Sequence, residues 1–179
     1  FRPDSYFNSI IKWISVRHGW NISREWIEFS PGVVPALNMC TLAYTQKGDS
    51  IIIQPPVYTP FHGAAKDHER ILIYNNLLET AEGWMMDFYG LRKLITPSAK
   101  MIIISNPHNP VGRVWRREEL EELVDICYSN GIIILSDEIH SDLILPGNRH
   151  VPVASLSEKA ASITVTCMAP SKTFNLAGL

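Results

Sequence analysis

No apolar run in the 179 residues comes near the roughly 18 that a membrane span requires, so no membrane role is expected. Charge of either sign is not in surplus. Sixteen Lys+Arg against 18 Asp+Glu leave a formal net charge of −2, which gives nucleic acid no electrostatic reason to bind. The N-terminal Phe1-Arg2-Pro3-Asp4 lacks a basic segment leading into an apolar one, so no secretory signal is expected. Cysteine is scarce. Cys40, Cys127 and Cys167 are odd in number, lie far apart in apolar stretches and have no metal-ligand spacing. That pattern predicts free thiols in a reducing compartment, hence a cytoplasmic protein with no metal site. Repeats and low-complexity tracts are missing too. What remains, 46% hydrophobic and 19% charged, has the composition of an ordinary globular domain with enough chain to bury a core. A start without methionine and a stop at Ala177-Gly178-Leu179 lead to the expectation of a piece of a longer protein.

Hydrophobic periodicity supplies the fold class. Phe7, Ile10, Ile11 and Ile14 recur at helical spacing after Asp4, a candidate cap, and Gly19 is placed to stop that helix. His18 beside the stop is expected to be a surface residue. Residues 26–29 predict a short strand, and 36–44 a helix preceded by a Gly32 turn, with Pro35 in its first turn. Strands are predicted over 49–54, 70–74, 101–104, 132–135 and 163–168, with helices over 61–67, from Asp87 to Pro97, and over 116–130. Residues 75–84 read as polar connection and 145–158 as loop. The acidic run Glu118, Glu119, Glu121 and Glu122 reads as a solvated helix start, where it suits the helix dipole. Unbroken apolar runs such as Met101-Ile102-Ile103-Ile104 are those of strands buried on both faces. The alternation β-α-β-α-β-α-β-α-β therefore predicts one α/β domain, a mostly parallel sheet with helices on both faces.

Chemistry-bearing residues gather just past the strands, where open α/β sheets place their ligands. Backbone N–H groups near Val33 and Val34, at a helix start, can receive a phosphate; a plain strand-to-helix turn is the simpler reading. Tyr58 lies in the Pro-framed loop Pro55-Pro56-Val57-Tyr58-Thr59-Pro60, where a ring can stack on a flat ligand or merely pack. Asn109 sits in a loop stiffened by two Asn-Pro pairs. Asp137 follows an apolar strand directly, so its anion needs a cationic or N–H partner. Glu138 beside it cannot share its face in extended chain, which rules out an acid–base pair by adjacency. Lys172 stands beyond the last strand between Ser171 and Thr173, as a surface charge or a reactive amine. A phosphate site, a ring stacker, a neutral donor, a buried carboxylate and an amine are together the set that pyridoxal 5′-phosphate uses.

Three motifs in order carry a family resemblance. Ser105-Asn106-Pro107-His108-Asn109-Pro110-Val111-Gly112, Ser136-Asp137-Glu138-Ile139-His140 and Ser171-Lys172-Thr173-Phe174-Asn175-Leu176-Ala177-Gly178-Leu179 resemble the class I/II aminotransferase superfamily, the fold type I pyridoxal-phosphate enzymes. Ser30-Pro31-Gly32-Val33-Val34-Pro35-Ala36 and Gln54-Pro55-Pro56-Val57-Tyr58-Thr59-Pro60-Phe61 extend the likeness to the cystathionine β-lyase (C–S lyase) branch of MalY/PatB type. The resemblance implies that residues 1–179 are the cofactor-binding large domain, without the small domain or the N-terminal segment, of a homodimer acting on a small amino acid. It implies Lys172 as the Schiff-base lysine and Asp137 as partner of the ring nitrogen. It further implies Asn109 at the ring 3′-oxygen and Tyr58 stacked on the ring, with Val33, Val34 and Ser171 at the phosphate. Many relatives have tyrosine where His140 stands, so His140 is a candidate donor to the same oxygen or a solvent-facing loop residue. The implied reaction is carbon–sulfur β-elimination giving pyruvate, ammonia and a thiol. Amino transfer is the alternative, and a regulatory protein-binding role is another.

Overall fold

The structure, a computed structural model, describes residues 2–177. Seven α-helices and seven strands occur among them: α1 (Asp4–His18), α2 (Val33–Tyr44), β1 (Ser50–Ile53), α3 (Pro60–Lys66), β2 (Ile71–Tyr74), β3 (Leu78–Thr80), β4 (Gly83–Met85), α4 (Phe88–Leu94), β5 (Ala99–Ser105), α5 (Arg117–Ser129), β6 (Ile133–Asp137), α6 (Glu158–Ile163), β7 (Thr164–Cys167) and α7 (Pro170–Thr173). Two short 3₁₀ helices, Arg24–Trp26 and Val153–Ser155, complete the set.

Five strands form one sheet in the order β2-β1-β5-β6-β7, every neighbouring pair parallel. Because side chains alternate across a strand, the isoleucine runs supply both faces. Ile52, Ile102, Ile104 and Ile134 point into a core with Leu91 of α4, Leu120 and Leu123 of α5, and Ala160 of α6. Ile51, Ile53, Met101, Ile103 and Leu135 point the other way, against Val33 and Leu37 of α2 and Phe61 of α3. The expected three-layer α/β/α arrangement is what forms.

Several local expectations are corrected. Residues 26–29 are not a strand: Arg24–Trp26 is a 3₁₀ turn, and Trp26 and Phe29 stay exposed, with no sheet beside them to cover an apolar face. Residues 75–84 hold the antiparallel hairpin β3–β4, a two-stranded surface ribbon separate from the main sheet. The last strand begins at Thr164 rather than Ile163, because α6, capped by the Ser157 hydroxyl on the Ala160 N–H, takes Ile163 as its final residue. Asp4 is the first residue of α1, behind Pro3 at the cap position. Glu119 departs from its acidic neighbours: it is buried, taking two 2.8 Å bonds from the Arg113 guanidinium and one from the Arg116 N–H. Gly178 and Leu179 of the last motif lie outside the described residues.

Gly131 ends α5 at φ +64°, with the Ile132 N–H returning to the Cys127 carbonyl. No atom lies within 4 Å of where a Cβ would stand, so the backbone angle alone opposes a side chain. Gly131→Ala is therefore expected to cost about 1–2 kcal/mol, read as a lower urea midpoint with unchanged slope.

Candidate active site

One-way strands bring all five C-terminal ends to one edge. The register aligns Ile53 with Ile103, Ser105 with Asp137, and Asp137 with Cys167, so the loops that follow emerge side by side. The Asn106 N–H bonds the Asp137 carbonyl at 2.9 Å, and the Glu138 N–H bonds the Cys167 carbonyl at 2.8 Å, continuing the pairing past the strands. His108 Nε2 lies 2.9 Å from the Pro56 carbonyl oxygen, tying the Asn109 loop to the Tyr58 loop. The Asn109 N–H is held by the Ser105 hydroxyl at 3.2 Å.

Asp137 is the most constrained of these groups. Its residue is 5% exposed, and its Oδ1 accepts one bond, from the Ile139 N–H at 3.1 Å. Burial pushes its pKa up to about 6; the Ile139 bond opposes that rise and the neighbouring Glu138 adds to it. A buried carboxyl with a single bond to its anion is unsatisfied as a charge, and a cationic N–H donor would reverse the balance. Glu138 turns the other way, as its adjacency requires. It is fully buried and satisfied by the Ser136 hydroxyl at 2.9 Å, the Val153 N–H at 3.1 Å and His150 Nε2 at 2.8 Å.

Asn109 and His140 line one cleft of about 310 Å³, with Pro107, His108, Leu143 and Leu145 among its walls. The His140 pKa is lowered, first by burial and then by the positive charge of Lys172. Lys172 itself is exposed, on the four-residue α7 that follows β7 after two extended residues; Ser171 beside it is half-buried. Tyr58 is 39% exposed, its ring at 82° to that of Phe61 with 6.1 Å between centroids. Val33 and Val34 open α2, where an α-helix offers its own N–H groups no acceptor, and Pro35 has no N–H. Gly32 before them is extended (φ 166°, ψ 167°), so the chain bends at Pro31 and Gly32 into α2 without a left-handed residue.

The profile of the family described as "Aminotransferase class I and II" matches residues 4–179. The chain belongs to that family. Within it, the chain is similar to the cystathionine beta-lyase PatB of Bacillus subtilis (strain 168), 50% identical over 96% of this chain and 45% of the relative. It is similar to the protein MalY of Escherichia coli (strain K12), 27% identical over 100% of this chain and 45% of that protein. Among solved structures, cystalysin from Treponema denticola, which contains a pyridoxal 5′-phosphate cofactor, superposes with a TM-score of 0.97. That match is 42% identical and covers 99% of this chain and 45% of that one. The chain thus spans less than half the length of the relatives it matches. No helix among the described residues is long and apolar enough to cross a membrane, and none of their side chains forms a metal-type cluster.

Sequence reasoning missed one part of this aminotransferase-family architecture. His18 is not a surface residue: it is buried, its Nε2 3.1 Å from Asp142 Oδ1 and its ring 5.2 Å from that of His150. Burial first, then His150, lowers the His18 pKa against the pull of Asp142 and Glu138. The signal for this cluster was weak. Glu138, like Asp137, follows an apolar strand and called for a partner, but that partner stands twelve residues on, in a loop.

Proposed function

We propose that this chain is the cofactor-binding large domain of a pyridoxal 5′-phosphate-dependent carbon–sulfur β-lyase that cleaves cystathionine or related cysteine conjugates. Asp137 is the observation that carries the reading: a buried carboxyl, raised to about 6, on a strand end shared with the Asn109 loop and the strand leading to Lys172. When bound, the cofactor supplies a protonated ring that takes up negative charge from the substrate α-carbon. The residues present fit such a group. Asp137 would hold the proton on the ring nitrogen and would itself be relieved of an unpaired buried charge. The Asn109 amide would donate to the ring 3′-oxygen, the His140 imidazole would be a second donor to the same atom, and Tyr58 would cover one ring face. The first-turn N–H groups of Val33 and Val34, with the Ser171 hydroxyl, would receive the phosphate. Held beside such a ring, Lys172 Nζ would be the amine that bears the cofactor and the base that takes up the substrate α-proton.

Loss of that proton lets the Cβ–S bond break, with its electron pair leaving on sulfur as a thiolate that is protonated to the thiol. The released enamine takes up water to give pyruvate and ammonia. The likeness to the Bacillus subtilis cystathionine β-lyase supports elimination over amino transfer. The full-length protein is expected to work as a homodimer on small amino-acid substrates in the cytoplasm; all three cysteines are free thiols.

Cystathionine given to the full-length, cofactor-loaded protein is expected to yield pyruvate with no keto acid added. If pyruvate fails to form and amino groups instead appear on an added keto acid, the enzyme is an aminotransferase and the lyase assignment falls.

A further inference from the structure

The turn that carries Lys172 is tied to a helix from the far end of the chain through one carboxylate. Asp142, in the loop after β6, has a side chain only 8% exposed. Its Oδ2 accepts from the Thr173 hydroxyl at 2.9 Å and from the Trp13 indole N–H at 3.2 Å. Its Oδ1 lies 3.1 Å from His18 Nε2 and 3.4 Å from Arg17 Nε. Arg17 also reaches the Asp142 carbonyl, at 3.4 Å. Trp13, Arg17 and His18 all belong to α1, and the Trp13 ring stacks at a tilt on Phe174, 5.3 Å between centroids. A second arm completes the tie. His150, in ring contact with His18, bonds Glu138, the residue after Asp137.

We propose that Asp142 is a positioning residue for Lys172, acting through Thr173, with α1 as its anchor. The proposal rests on the reading of Lys172 as the cofactor-bearing lysine. Lys172 is exposed on a single helical turn, and a turn that short has little rigidity of its own. The bond from the neighbouring Thr173 to a carboxylate that is itself fixed by three α1 side chains supplies that rigidity. A charge-assisted bond made by a group one residue from the amine limits how far the amine can stray, which is the condition a reacting group must meet. Asp142 touches neither cofactor nor substrate in this scheme.

The test uses full-length protein loaded with pyridoxal phosphate, compared as wild type, Thr173→Val, Thr173→Ser and Asp142→Ala. Each is titrated with the cofactor, reduced with borohydride, and mapped by peptide mass spectrometry for the adduct at Lys172. Thr173→Val is expected to need about tenfold more cofactor for half-maximal adduct, matching the loss of one charge-assisted hydrogen bond. Thr173→Ser, which keeps the hydroxyl, restores the wild-type titration. Asp142→Ala follows Thr173→Val; should it fail to fold, the threonine pair decides alone. If the valine and serine variants behave alike, the positioning role is overturned while Lys172 keeps its adduct. A wild-type adduct at another lysine overturns the reading of Lys172 and the positioning role together.

Discussion

Replacing Lys172 by alanine in the full-length protein is expected to abolish the absorbance band of the lysine-linked cofactor and to cut turnover by roughly a hundred- to ten-thousandfold. The loss should come without unfolding. Lys172 belongs to neither core cluster, so the circular dichroism and urea midpoint of the cofactor-free variant should match those of cofactor-free wild type. Added alkylamine should return part of the activity, because the proton acceptor is then supplied from solution. A band that survives the substitution unchanged would show that the cofactor is attached elsewhere.

Asp137→Asn is expected to move stability and turnover in opposite directions. In the cofactor-free protein the folded pKa of Asp137 lies above its unfolded value, about 6 against 3.8. For such a group the stabilising contribution is complete below pH 3.8 and is lost as pH rises through 6. Near neutral pH the anion therefore costs the cofactor-free fold about 3 kcal/mol, the equivalent of that shift. Asparagine, neutral and of the same shape, removes the cost, so the cofactor-free variant should be the more stable at pH 7.5 and equal to wild type near pH 3. A cationic ring N–H set against Asp137, as proposed, would reverse that balance. Removing one member of a buried charged pair costs about 3–5 kcal/mol, a fall of at least roughly a hundredfold in turnover. Urea titrations at the two pH values test the first half, and steady-state rates the second. Parallel pH slopes for the two cofactor-free proteins, or turnover that survives, would sink the account of Asp137.

Both predictions depend on features that are legible in the amino-acid sequence. Apolar runs of β-branched residues have few alternatives to a buried strand, and a polar residue directly after such a run has to lie at a sheet edge; Asp137 and the Asn109 loop were found that way. Lys172 follows the same rule at one remove, past β7 and Pro170. The misread segments share a different property, that their form is decided by what lies beside them. Trp26 and Phe29 look like strand residues, but no strand runs alongside. The β3–β4 hairpin buries too little to print an alternating pattern, since every residue of β3 is exposed. The group joining His18, Asp142, His150 and Glu138 draws on α1, two loops and a strand end up to 132 positions apart, and local patterning carries no trace of such pairings.

The common direction of the five main strands separates what can vary from what cannot. Every side chain assigned to chemistry leaves the sheet at its C-terminal edge, while Ile51, Ile103 and Leu135, which weld the layers, sit wholly inside it. Lineages that alter the edge loops can explore new substrates at little risk to the scaffold. Asp142 marks the exception, for it binds an edge loop to α1, and drift at that position would be felt in the fold and the chemistry at once.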